Sequence, residues 1–189
     1  MPCDLSSGRI VGCKDAIGGI VRVYIGNFQD MVNNTTFAAS ATNVVSAIPA
    51  QTFYQFDVRP ETSSLTVNFQ ANAANGTTFF EQNLSLVFQK LDATDLADIR
   101  VLCQGRPNIW VETQEKDSNG IPVVYLVGAE FGMNVTGGNA ATGTAMGDMN
   151  GFTIELQGKE REVMYEATPG TLGSSDSPLD NVTGVTISA

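Results

Sequence analysis

Apolar and polar positions alternate through most of this chain, and a two-residue period dominates. Ser64–Gln70 sets Leu65, Val67 and Phe69 on one side and Thr66, Asn68 and Gln70 on the other. Thr77–Gln89 repeats the pattern, with Leu84, Leu86 and Phe88 against Glu81, Asn83, Ser85 and Gln89. Between them lies Asn75-Gly76, a pair that tolerates positive φ and marks a hairpin turn. The two segments predict one long β-hairpin, apolar on one face and polar on the other, with its apolar side chains buried against Leu96 and Ile99 or a second sheet. Further strands are predicted at Ile20–Phe28, Phe53–Val58, Asn108–Glu115, Val123–Val127 and Phe152–Leu156, with a short one at Val163–Tyr165.

The period changes once. Leu96, Ile99 and Cys103 recur at helical spacing, Asp92 or Thr94 can cap the start, and Gly105 before Arg106-Pro107 stops the run. This predicts one helix, burying those three side chains. Two segments lose periodicity. Gln29–Gln51 is rich in Asn, Thr, Ala and Ser and reads as a long excursion loop, with room for a short strand at Val44-Val45. Thr168–Ala189 is polar and rich in Gly, Ser and Pro, and reads as a flexible tail or inter-subunit arm. Leu126–Glu160 is punctuated by glycine and reads as strand, glycine corner, small-residue loop and strand. The expected architecture is mainly β: a β-sandwich or open barrel of two sheets with one flanking helix. It forms one domain over residues 1–167, followed by the arm at 168–189.

Composition narrows the function. The 189 residues include no histidine, which removes the commonest general acid–base at neutral pH. Twenty acidic residues against ten basic ones give a net charge of −10, a surface that repels nucleic acid. No apolar run approaches a membrane span, and the start lacks the pattern of a secretory signal. The six Asn-x-Ser/Thr sequons then read as Asn/Thr-rich composition rather than as glycosylation sites. Cys3, Cys13 and Cys103 do not make a zinc set, and reduced thiols are expected in preference to a Cys3–Cys13 disulfide. Gly128-x-x-x-Gly132 and Gly143-x-x-x-Gly147 lack the Lys-Ser/Thr of a phosphate loop. Asp148-Met-Asn150-Gly151 lacks the glutamate of a calcium loop and reads as a turn. Ser63-Ser64 and the thiols have no base beside them in sequence, and Trp110 reads as a packing residue. No catalytic residue, cofactor or metal is expected, and the chain reads as a structural protein rather than an enzyme.

The segments NFQANAANGTTFFEQNLSLVFQKL, ATDLADIRVLCQGR, NIWVETQ, YLVGAEFGMNVTGG and TGTAMGDMNGFTIELQGKE, within 51–166, resemble bacteriophage major tail tube proteins and the wider tube family of contractile injection systems. The resemblance implies hexameric rings stacked into a hollow virion tail, assembled in the host cytoplasm. It implies self-association, contacts with other tail and connector proteins, and genomic DNA passing through without specific binding. On this reading Thr66, Asn68, Gln70, Glu81, Asn83, Ser85 and Gln89 face the lumen, and the excursion and tail bridge rings. The alternatives are another virion subunit (head decoration or head–tail connector) and an extracellular adhesin- or pilin-like β-module.

Overall fold

A computed structural model describes residues 8–9, 14, 16–29, 31, 35–37, 43–90, 92–170 and 178–188. It contains strands β1 (Ile20–Gly26), β2 (Thr36–Phe37), β3 (Val44–Asp57), β4 (Ser64–Asn72) and β5 (Thr77–Gln89), then helix α1 (Ala93–Gln104). These are followed by β6 (Asn108–Lys116), β7 (Pro122–Val127), β8 (Asn134–Ala141), β9 (Gly151–Glu160), β10 (Tyr165–Ala167) and β11 (Thr183–Ser188). The protein is mainly β, with two sheets and, among the described residues, one helix.

The larger sheet runs β1-β6-β7-β10-β3-β11, with β2 on β3. Because β1 also pairs with β3, strands β3, β1, β6, β7 and β10 close into a ring. The smaller sheet is antiparallel, in the order β4-β5-β9-β8. Alternation along β1 and β6 explains how they meet. Tyr24 and Trp110, cross-strand partners, join Phe53, Leu126 and Tyr165 in one core inside the closed sheet. Val23, Ile25, Ile109 and Val111 point the other way, onto Leu84, Leu86, Phe88, Phe152, Ile154 and Leu156 of the small sheet. Strands buried on both faces need nearly continuous apolar sequence, which IVRVYIG and NIWV supply.

Several expectations change. The excursion ends early: the strand at Val44-Val45 is present, but it is the start of β3, and residues 44–51 are the first eight of its fourteen residues. Gln51 is buried there, so its neighbours' polarity reflects a strand with one open face. Residues 178–188 are part of the folded body rather than a free arm. Thr183–Ser188 pairs in parallel with β3, and Leu179 and Val182 are buried in the closed-sheet core. A strand stands where a small-residue loop is expected: β8 borders β9 along NVTGGNAA, with two glycines inside it.

The hairpin pairs from Ser64↔Ser85 to Asn72↔Thr77, which keeps the two faces as the alternation predicts. Its turn differs. Of Asn75-Gly76 only Gly76 takes positive φ, at 63°. The loop is instead held by Asn72, whose Oδ1 accepts the N–H groups of Ala74 and Asn75 at 3.0 and 3.2 Å. Phe69 leaves the core at this end: it is 70% exposed, because the hairpin extends beyond the closed sheet. In α1, Ile99 and Leu102 are half-buried against the core, while Leu96 is 49% exposed and Cys103 is an exposed free thiol. Cys3 and Cys13 lie outside the described residues.

Candidate functional site

The seven polar positions singled out above share one face of the small sheet. Thr66 pairs with Asn83 and Asn68 with Glu81, while Ser85 and Gln89 follow at the same parity along β5. Thr66, Asn68, Gln70 and Gln89 are exposed; Glu81, Asn83 and Ser85 are half-buried between neighbouring strands. The opposite face carries Leu84, Leu86 and Phe88, so the hairpin's two-sidedness is borne out.

Strand β9 completes the face. Its register brings Gln157 opposite Asn83, Glu155 opposite Ser85 and Lys159 opposite Glu81. Gln157 Nε2 donates to Asn83 Oδ1 at 3.0 Å, a cross-strand amide pair in the middle of the face. The seven positions include no Lys or Arg, but β9 adds a cation to the face: Lys159 stands opposite Glu81, with its Nζ 5.7 Å from the Phe79 ring centroid. The alternation of β9 carries that signal, because Phe152, Ile154 and Leu156 take the buried phase and leave Thr153, Glu155, Gln157 and Lys159 outward. With Glu81 and Glu155 against Lys159, the three charged side chains of β5 and β9 on this face sum to minus one.

Buried polar groups fix the end of the sheet where the hairpin protrudes. Gln82 and Glu160 sit in the apolar phases of their strands and are 2% and 4% exposed. Gln82 donates to the Val163 carbonyl at 2.7 Å and accepts the Gly128 N–H at 2.8 Å. Asn108 accepts the Gln29 N–H at 2.7 Å and donates to the Gly128 carbonyl. Both Glu160 oxygens accept backbone N–H groups, from Glu130 and Phe131, at 3.0 Å each. These bonds hold the Gly128–Gly132 corner in which both glycines have positive φ, at 67° and 78°. A side chain at Gly128 would also meet the Met133 amide nitrogen at 2.8 Å. Burial pushes the Glu160 carboxyl above its usual range, against the pull of the backbone N–H bonds. These residues escape a reading that assigns every polar side chain to solvent. The signal that finds them is a polar residue on an otherwise apolar parity.

In the large sheet, Tyr24 Oη donates to the buried Glu112 at 2.7 Å, and Arg22 contacts Asp57 at 2.9 Å and Glu112 at 3.8 Å. Burial, then the Glu112 carboxylate, raises the Tyr24 phenol, which stays protonated as the donor. This group satisfies a buried carboxylate and offers no nucleophile. Trp110 is fully buried in the same core. Among the described residues, no three His, Cys, Asp or Glu side chains converge as a metal set, and no helix is long and apolar enough to cross a membrane.

The edges of the small sheet are its other exposed feature. Among the described residues, strand β4 borders only β5, and β8 only β9. Neither SLTVNFQAN nor NVTGGNAA contains a charge or a proline, the usual devices that keep an open edge from pairing. Along the β8 edge a groove of about 380 Å³ separates α1 from the strand. No family model, no curated protein and no solved structure matches this chain.

Proposed function

We propose that this chain is a virion structural subunit of the tail tube type, whose copies join edge to edge into hexameric rings that stack as a conduit for DNA. The observation that carries this reading is the offset between the two open edges. The midpoint of β4, Asn68, lies at the level of Glu81 on β5. The midpoint of β8 lies at the level of Gly138, hence of Ile154 and Leu86. The edges are therefore displaced by five residues along the sheet, about 17 Å at the rise of an antiparallel strand. Four strands span about 19 Å across. Copies that align their edges in a ring must tilt their strands by about 40°, within the range that closed barrels adopt.

Strand polarity supports the same joint. Each strand in β4-β5-β9-β8 is antiparallel to the next, so β4 and β8 run in opposite directions. The β4 strand of one copy beside the β8 strand of another continues an antiparallel sheet, by a heterologous contact that closes as a ring. The apolar face stays on the closed sheet of each subunit, leaving Thr66, Asn68, Gln70, Glu81, Asn83, Ser85, Gln89 and their β9 partners toward the lumen. Six copies give a barrel about 50 Å across between backbones. Its wall is hydrated and near neutral, with Lys159 the cation of β9 held beside Glu81, so phosphate finds no guanidinium fork to grip it.

The test is negative-stain microscopy with sedimentation over a range of protein concentrations. Rings or tubes with a central bore are expected. A protein that stays monomeric at high concentration overturns the proposal.

A further inference from the structure

Resting on the edge-to-edge ring reading, we propose that Phe69 of each subunit is a knob that fills the groove between α1 and β8 of the next subunit. The groove is lined by Leu96, Ile99, Cys103, Val135, Gly138 and Ile154 among others, and among the described residues none that lines it is charged. Leu96 stands 49% exposed at its rim. On the buried parity of β8 the chain places Gly138 and Ala140, opposite Ile154 and Phe152, so that face lacks the bulk to close beneath the helix.

The other edge supplies a side chain of the complementary kind. Phe69 shares the parity of Leu65 and Val67, which turn toward the core, yet it is 70% exposed. Phe80 covers it on one side, edge to face at 5.5 Å. The stagger that aligns the two edges decides where it lands. Only an even shift keeps apolar parity against apolar parity, and the even values nearest the five-residue offset are four and six. Phe69 begins at the level of Phe80. A shift of four brings it to Leu84, Leu156 and Val135; a shift of six brings it to Leu86, Ile154 and Gly138. Both β8 positions line the groove.

Charge selects a second copy as the occupant. Two chains of net charge −10 repel each other over most of their surfaces. The strips that meet here, Ser64–Asn72 and Asn134–Ala141, carry no charge, and neither do the described residues that line the groove. An aromatic side chain entering an apolar recess beside a continued strand ladder is the kind of contact that concentrates interface energy.

Cys103 in the groove makes the contact measurable. Its alkylation rate is compared in assembled and diluted wild-type protein, with Cys3→Ser and Cys13→Ser in the background. Assembly is expected to slow the reaction tenfold or more. In the same background Phe69→Cys, treated with a short bis-maleimide, should give a ladder of covalent oligomers that Cys103→Ser abolishes. Phe69→Ala should weaken assembly by roughly tenfold or more without changing the fold of the subunit. Rings in which Cys103 reacts at the diluted rate and no ladder forms overturn this inference and leave the ring reading intact. A ladder that stops at the dimer shows a two-fold joint and overturns it too. A chain that never associates removes both.

Discussion

Phe88 and Phe69 occupy the same face of one hairpin, yet truncating them should have opposite consequences. Phe88 is 9% exposed. Its ring meets Phe152 at 4.9 Å and Phe56, edge to face, at 5.8 Å. Phe88→Ala removes a buried aromatic and both ring pairs. Such truncations cost about 3–5 kcal/mol, depending on how far the site collapses. Collapse is limited on the β9 side, where Phe88 pairs with Phe152 in the ladder; on its other side Phe88 lies beyond the end of β4, whose pairing stops at Ser64↔Ser85. Helix α1, which packs Ile99 and Leu102 nearby, is the element able to move in. A loss of about 3–4 kcal/mol follows, or roughly 6–16 °C in Tm for a chain of this size. Phe69→Ala, at 70% exposure, should cost the isolated subunit less than about 1 kcal/mol. The assay is urea denaturation of dilute, dispersed protein, so that assembly does not contribute. A loss below about 1 kcal/mol for Phe88→Ala, or a larger loss for Phe69→Ala than for Phe88→Ala, would mean that the apolar face and its overhang are assigned wrongly.

Three further outcomes follow. Because Glu160 has a raised folded-state pKa, its protonated form stabilises the fold; that contribution is complete below the ordinary value of 4.5 and is lost as pH rises through the raised value. Tm of wild type relative to Glu160→Gln should therefore fall between about pH 4.5 and neutrality, and a difference that stays flat over this range refutes it. Thr66→Lys with Asn68→Lys puts charge on the β4 edge and should leave a folded monomer that no longer forms rings; unchanged tubes by microscopy refute edge pairing. Truncation after Ala167 removes β11 and the buried Leu179 and Val182, each worth about 1.5–3 kcal/mol if fully transferred to water. Thermal melts should show a lower, broader transition, and a Tm within about 2 °C of the full chain would mean that this segment is an appendage after all.

Local pattern alone determined much of this fold. The alternation in Ser64–Gln70 and Thr77–Gln89 specified a hairpin and which side chains share each face, because side chains alternate sides along a strand. The same rule reached the core strands IVRVYIG and NIWV, and the single change of period located the helix. Tertiary structure decided what parity does not encode. Phe69 and Leu86 look alike in sequence, but only the latter lies over the closed sheet; burial depends on where the partner surface ends. Leu96 and Leu102 are both helical leucines, yet Leu102 packs against the core and Leu96 stays 49% exposed. NVTGGNAA, with two glycines, lacks strong β-propensity, and the Val- and Thr-bearing segment 178–188 follows a Gly/Ser/Pro-rich run that hides it; both are ordered by neighbours distant in sequence, β9 and β3, which supply their backbone partners. Gln82 and Glu160 violate the apolar phase and are paid for by backbone groups brought to them from the Gly128–Gly132 corner and Val163. The offset of the two open edges, on which the ring proposal stands, likewise exists only once four strands are laid side by side, because it is a sum of three registers and no single strand contains it.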